Sequence, residues 1–159
     1  MFLRTEITKE KKLIGMRKRM SFVKYTVFEL WRNFMPRRNE IKNINADYIS
    51  LDIYNDVNFF SPFNPASEFE KWATVEVANY DSVPEGMETL TVPSSLYAVF
   101  LHKGTSEDAQ KTYRYIFTEW FPKSDYILDN RPHFAVMGSK YKNNDPESEE
   151  EIYIPIKKK

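Results

Sequence analysis

The sequence predicts an α+β domain, a duplicated strand–helix–strand–strand unit (βαββ) with two helices packed on one face of a mainly antiparallel sheet. Three observations predict it. Two segments carry apolar residues at helical spacing, and each ends on large side chains before a proline: "NFMP" with Trp31 one turn back, and "TEWFP" with Phe117 one turn back. Each helical segment follows one strand-like segment and precedes two more. The correspondence between the halves lies in the order of elements and not in residue identity.

Residues 1–12 are mostly charged and are expected to fray. "LIGMRKRMS" (13–21) reads as a strand in which Gly15 marks a bulge or a close backbone approach. Phe28, Trp31 and Phe34/Met35 recur at helical spacing, so a helix is expected over 26–35, with Pro36 ending it and Arg37 and Arg38 solvated beyond it. "ADYISLDIY" (46–54) suits a strand, and the Pro- and Asn-rich stretch 57–70 a loop whose Phe59, Phe60 and Phe63 form a lid or an edge cover. "KWATVEVANY" (71–80) alternates clearly, with Ala73, Val75 and Val77 on one face and Trp72, Thr74 and Glu76 on the other. Pro-Glu-Gly then signals a turn before a short extended stretch, and "LYAVFLHKG" (96–104) reads as a strand covered on both faces. The second helix is expected from an N-cap at Thr105, with Glu107 and Asp108 in its first turn, to Pro122. A strand entered through Arg-Pro, an acidic linker ("KNNDPESEE") and a last strand beginning at Glu151, "EIYIPI", complete the chain, read as one domain over 1–159.

Composition narrows the function. Lys+Arg and Asp+Glu are both 23, and the formal charge of zero argues against a protein that neutralises phosphates, so no direct nucleic-acid binding is expected. There is no cysteine, and the two histidines, His102 and His133, are too few for a His-rich metal centre. No cofactor is expected. The N-terminus lacks the apolar core of a secretory signal, and the longest apolar run, "LYAVFL", is too short for a bilayer; the expectation is a soluble cytoplasmic protein with no membrane contact. With four glycines and no phosphate loop, dinucleotide fingerprint or HExxH, the common kinase and hydrolase chemistries find no support. The 16% of Phe, Tyr and Trp fits either a ring-rich core or a pocket for a flat ligand.

Carboxylates next to aromatics on strands are the remaining chemistry. Glu151 alternates with Tyr153, while Ile152, Ile154 and Ile156 take the other face; Glu76 alternates with Trp72, and Glu119 precedes Trp120. A buried carboxylate among rings attracts a desolvated organic cation.

"VPEGMETLTVPSSLYAVFLHKG", "YIFTEWFPKSDYILDNRPHFAVMG" and "SEEEIYIPI" resemble, in order and spacing, the GyrI-like effector-binding family, the small-molecule module also found in AraC/MerR-type multidrug-responsive regulators. "ELWRNFMPRRNEI" is similar to the first-helix region of stand-alone members, and the resemblance covers about residues 13–156. It implies the duplicated βαββ fold with a ligand cleft between its halves. It maps a cleft acid onto Glu151 and cleft rings onto Tyr153, Tyr97, Trp72 and Trp120. Many members carry a glutamate where this chain has Ala135, and its absence shifts the expectation toward neutral aromatic ligands unless Glu151 or Glu76 substitutes. Three functions follow as expectations: a stand-alone protein that sequesters or senses a small amphipathic aromatic, possibly cationic, compound; a hydrolase of strained cyclopropane-type electrophiles with Glu151 as its acid/base; and a protein partner role such as gyrase inhibition.

Overall fold

The computed structural model describes residues 1–60, 62–105, 108–143 and 145–159. The sequence expectation for Glu107 lies outside them. The described strands are β1 Phe2–Ile7, β2 Lys11–Met20, β3 Tyr48–Ile53, β4 Phe69–Val77, β5 Glu88–Val92, β6 Leu96–Lys103, β7 Tyr126–Leu128, β8 His133–Met137 and β9 Glu149–Lys158. The helices are α1, Val27–Phe34, and α2, Ala109–Tyr115. A 3₁₀ segment at Met35–Glu40 extends α1, and a π-helical turn at Ile116–Trp120 with a last turn at Phe121–Lys123 extends α2. The fold is α+β, with two helices on a mainly antiparallel sheet.

The sheet runs β1-β6-β9-β8-β3-β4-β2-β5, with β7 added beside β9. Each half contributes three strands in mirrored order, β6-β9-β8 and β3-β4-β2, and the halves join through the antiparallel β3–β8 pair. The remaining two strands exchange partners: β1 precedes the first half but pairs with β6, and β5 precedes the second half but pairs with β2. The charge-rich N-terminus, expected to fray, is therefore held as a strand by β6. Its alternation is obscured by a register shift between Phe2 and Arg4.

This exchange bends the sheet. β1 stands at one end of the strand order and β2 near the other, yet only residues 8–10 join them. Each residue advances a chain by at most about 3.6 Å, so the two ends of the sheet must meet. They meet where Thr8 N–H donates to the Ser95 carbonyl at 2.8 Å and the Ser94 hydroxyl donates to the Thr8 carbonyl at 2.5 Å. The sheet is thereby curled, with an inside and an outside.

The packing records this division. Leu13, Ile49, Leu51, Trp72, Val92, Tyr97, Val99, Phe134 and Tyr153, drawn from both halves, form one buried cluster inside the curl. Outside it the core splits in two. One cluster packs Leu30 and Phe34 of α1 over Ile14, Phe69, Ala73 and Val75; the other packs Ile116 beyond α2 over Ala98, Phe100, Ile152 and Ile154. Gly15 permits the close β2–β4 approach, since a Cβ there would lie 1.9 Å from the Ala73 carbonyl oxygen. The described helix runs from Ala109, and the Asp108 carboxylate accepts from the Thr105 N–H at 3.0 Å.

Candidate functional site: a groove between the helices

The two outer clusters leave the middle of the sheet, β3 and β8, between the helices. Strand alternation decides what faces this groove. From β3 come Tyr48, Ser50 and Asp52, from β4 Lys71 and Ala73, from β8 His133 and Ala135, and from β9 Glu150 and Ile152. The register aligns them in rows. Ala73, Ser50 and Ala135 lie side by side across β4, β3 and β8, as do Lys71, Asp52 and His133 in the next row. The first row is a flat floor of small side chains. The second is a polar row whose Lys71 Nζ donates to Asp52 Oδ1 at 2.9 Å, both residues being buried.

Tyrosines surround these rows. The Tyr54 hydroxyl is driven well above its ordinary range, by burial first and then by the Asp52 carboxylate. The same two causes raise Tyr113, which also feels Glu150 and is opposed by Lys71. Tyr141 is raised by burial and by Glu150, again opposed by Lys71. Tyr25 is half exposed, stacks on Phe22 at 5.7 Å and is felt electrostatically by Tyr54, Tyr113, Tyr141 and Lys71. These groups, far apart in the chain, therefore lie within one another's electrostatic reach. Burial alone would lower the Lys71 ammonium, but the Asp52 carboxylate outweighs it and holds it charged.

The rings of the β3–β4 connection roof one end. Tyr54 packs on Phe59 and Phe60 at 4.6 and 4.8 Å and meets the His133 ring edge-on at 4.8 Å. Phe60 stacks on Phe117 of the π-helical turn at 4.8 Å, bridging the two halves. Phe59 is buried, while Phe63 is half exposed.

Glu150 is the groove acid that the sequence reading passed over. Its neighbours Glu147, Glu149 and Glu151 are ion-paired with Lys103, Lys140 and Arg4, whereas Glu150 has no cation partner among the described residues. Burial pushes its carboxyl up and Asp52 adds to this, against His102 and Lys71. His102, its cross-strand neighbour, is buried, with Nε2 3.0 Å from the Thr105 carbonyl and Nδ1 2.8 Å from the Thr112 hydroxyl.

The residues mapped to one cleft fall instead on two faces. Tyr97, Trp72 and Tyr153 are 0%, 4% and 7% exposed inside the curl, where they belong to its buried cluster. Phe134 stacks on Tyr153 at 4.5 Å, and the Tyr97 hydroxyl donates to the Pro132 carbonyl at 2.9 Å. Glu151 lies on that same face, at its rim, with Arg4 Nη1 2.9 Å away. Trp120 faces outward but packs with Phe2 and Phe100 under α2 and borders a separate recess of ≈ 220 Å³ lined also by Tyr115, Glu119, Lys123 and Ser124. Ala135 alone of the six lies on the groove floor. The physical reason is the strand period: Glu151 and Tyr153 share a face, but the curl makes it the inside. The strand also begins two residues earlier than expected, at Glu149, which brings Glu150 into the sheet.

Comparisons with known proteins show the family and the fold. Residues 3–157 match the GyrI-like small molecule binding domain, and the chain belongs to that family. It is 30% identical over 132 residues to the transcriptional regulator BrlR of Pseudomonas aeruginosa, covering 82% of this chain and 46% of that protein. It is 31% identical over 100 residues to a DNA gyrase inhibitor of Erwinia billingiae, covering 59% of this chain and 62% of that one. The chain thus spans about half of the first relative and three-fifths of the second. Among solved structures, the EcmrR C-terminal domain superposes with a TM-score of 0.73 at 13% identity, covering 99% of both chains. SAV2435 bound to tetraphenylphosphonium superposes with a TM-score of 0.69 at 14% identity, covering 99% of this chain and 94% of that one. At these identities the structures show the shared fold. Among the described residues no helix is long and apolar enough to cross a membrane, and no His, Asp and Glu cluster could hold a metal ion.

Proposed function

We propose that the chain sequesters or senses an amphipathic aromatic small molecule in the groove between its helices, over the Ser50, Ala73 and Ala135 floor. The observation that carries this reading is the pairing of three small side chains in register with a surround of Tyr25, Tyr54, Tyr113 and Tyr141. Small floor residues leave height for a flat ring system, and phenol rings supply faces and edges for it together with hydroxyls for its polar end. The family's small-molecule binding and the tetraphenylphosphonium carried by SAV2435 support an aromatic ligand. The inside of the curl is filled by its own core cluster.

Amide chemical shifts recorded during titration with tetraphenylphosphonium and with naphthalene derivatives test it. Perturbations centred on Ser50, Ala73 and Ala135 are expected. Perturbations centred on Tyr97 and Tyr153, or none with any probe, would contradict the reading.

A further inference from the structure

We infer that this groove selects aromatic compounds carrying a hydrogen-bond acceptor headgroup, a carboxylate or a carboxamide, docked on Lys71, over aromatic compounds carrying an ammonium. The inference rests on the proposed groove site and adds the chemical class of its ligand.

The polar row is where a headgroup would land, since it adjoins the small floor in the same register. Its charge is already committed. Asp52 Oδ1 is held by Lys71 at 2.9 Å, with both side chains only 10% exposed, so the carboxylate charge is already balanced by the Lys71 ammonium. Lys71 has donors to spare. An ammonium carries three N–H groups, and within the described residues only the one directed to Asp52 has an acceptor. The third member of the row adds to the imbalance. His133 is 4% exposed and its Nδ1 has no hydrogen-bond partner among the described residues. Buried polar atoms are ordinarily satisfied, so an orphan beside a small-residue floor marks a place where a ligand atom or water completes the set.

The surrounding groups agree. The tyrosine hydroxyls are held in their protonated form by burial, which leaves each a proton to donate. Glu150, the unpaired carboxylate of the groove, belongs to β9, with β8 standing between it and the Asp52 strand. A cationic headgroup on the polar row would face the Lys71 ammonium directly, with Asp52 already engaged. An acceptor oxygen there would take the spare Lys71 N–H groups and extend the Lys71–Asp52 pair into a network.

Three probes with one ring system separate the alternatives: naphthoate, naphthamide and naphthylmethylammonium, titrated calorimetrically into the full chain. Naphthoate and naphthamide are expected to bind at least about tenfold tighter than the ammonium compound, as for a site built to hydrogen-bond one headgroup. Replacing the ion pair together, Lys71→Met with Asp52→Leu, avoids stranding one buried charge and should erase that preference while retaining binding of all three. Lys71→Arg keeps the donors and should retain the preference. Equal or tighter binding of the ammonium compound, or an unchanged preference in the double variant, overturns the inference while leaving the groove reading intact. Absence of binding by every probe removes the groove reading as well.

Discussion

Glu150 and Glu151 are consecutive in β9 and serve opposite faces of the sheet. Glu151 reaches Arg4 at the rim of the curled inner face, while Glu150 turns outward beside His102 into the groove without a cation partner among the described residues. One residue of offset on a strand exchanges the inner face for the groove face. The functional assignment of this acidic run depends on which face of the sheet is enclosed, and the partner exchange of β1 and β5 decides that.

Phe60 from the β3–β4 connection stacks on Phe117 of the π-helical turn, and the proposed groove site predicts that this pair gates the ligand. Phe60→Ala should raise both association and dissociation rates of a groove ligand, each by roughly tenfold, with a smaller change in affinity. Stopped-flow quenching of tyrosine and tryptophan fluorescence by naphthoate measures both rates. Unchanged rates would show that the ligand takes another route.

Arg131 is predicted to be a structural anchor rather than a ligand contact. Its Nε donates to Asp129 at 2.8 Å, its Nη2 donates to the Leu96 and Ile156 carbonyls at 2.8 and 2.9 Å, and its guanidinium lies 4.9 Å from the Tyr97 ring centroid. Arg131→Met removes these bonds from two carbonyls and leaves Asp129, among the described residues, with only the Asn130 N–H and Lys157. A loss of about 3 kcal/mol in urea denaturation is expected. A loss under about 1 kcal/mol would show that water replaces the guanidinium without cost.

His133 makes the fold acid-sensitive. Burial first, and the Arg131 charge second, push its imidazole from 6.5 down to about 3. In that window the unfolded chain binds a proton that the folded chain refuses. Stability from this group is complete above about pH 6.5 and falls as the pH drops toward 3, by up to about 1.4 kcal/mol per pH unit. Chemical denaturation near neutrality and near pH 5 should show the wild type losing more stability than His133→Leu. Parallel losses would mean that His133 takes up its proton without unfolding.

Much of the fold was legible because its signals are local. The Phe28–Phe34 spacing and the Trp72–Val77 alternation each act within a few residues, and they place α1 and β4; Pro36 and Pro122, expected to end the helices, lie inside their last turns. The N-terminal strand was not legible, since its charged side chains and the irregularity near Arg4 hide its alternation and its partner β6 lies some ninety residues away. The site was half legible. Ala135 reaches the groove, and the pairing of Glu151 with Tyr153 on one face is correct, but no local pattern says which face of a curled sheet encloses a core. Lys71, Asp52 and His133 become neighbours only through the β4–β3–β8 register, which no short stretch of sequence carries.

Blocking the groove floor tests the central claim most directly. Ala135→Trp places a large ring over Ser50 and Ala73, whereas Glu151→Gln alters the rim of the inner face and leaves the groove untouched. Calorimetric titration of naphthoate into both variants, with each confirmed folded by its denaturation midpoint, gives opposite outcomes for the two faces. Loss of binding in Ala135→Trp with wild-type affinity in Glu151→Gln is the predicted result. Retained binding in Ala135→Trp with loss in Glu151→Gln would contradict it and return the ligand to the inner face.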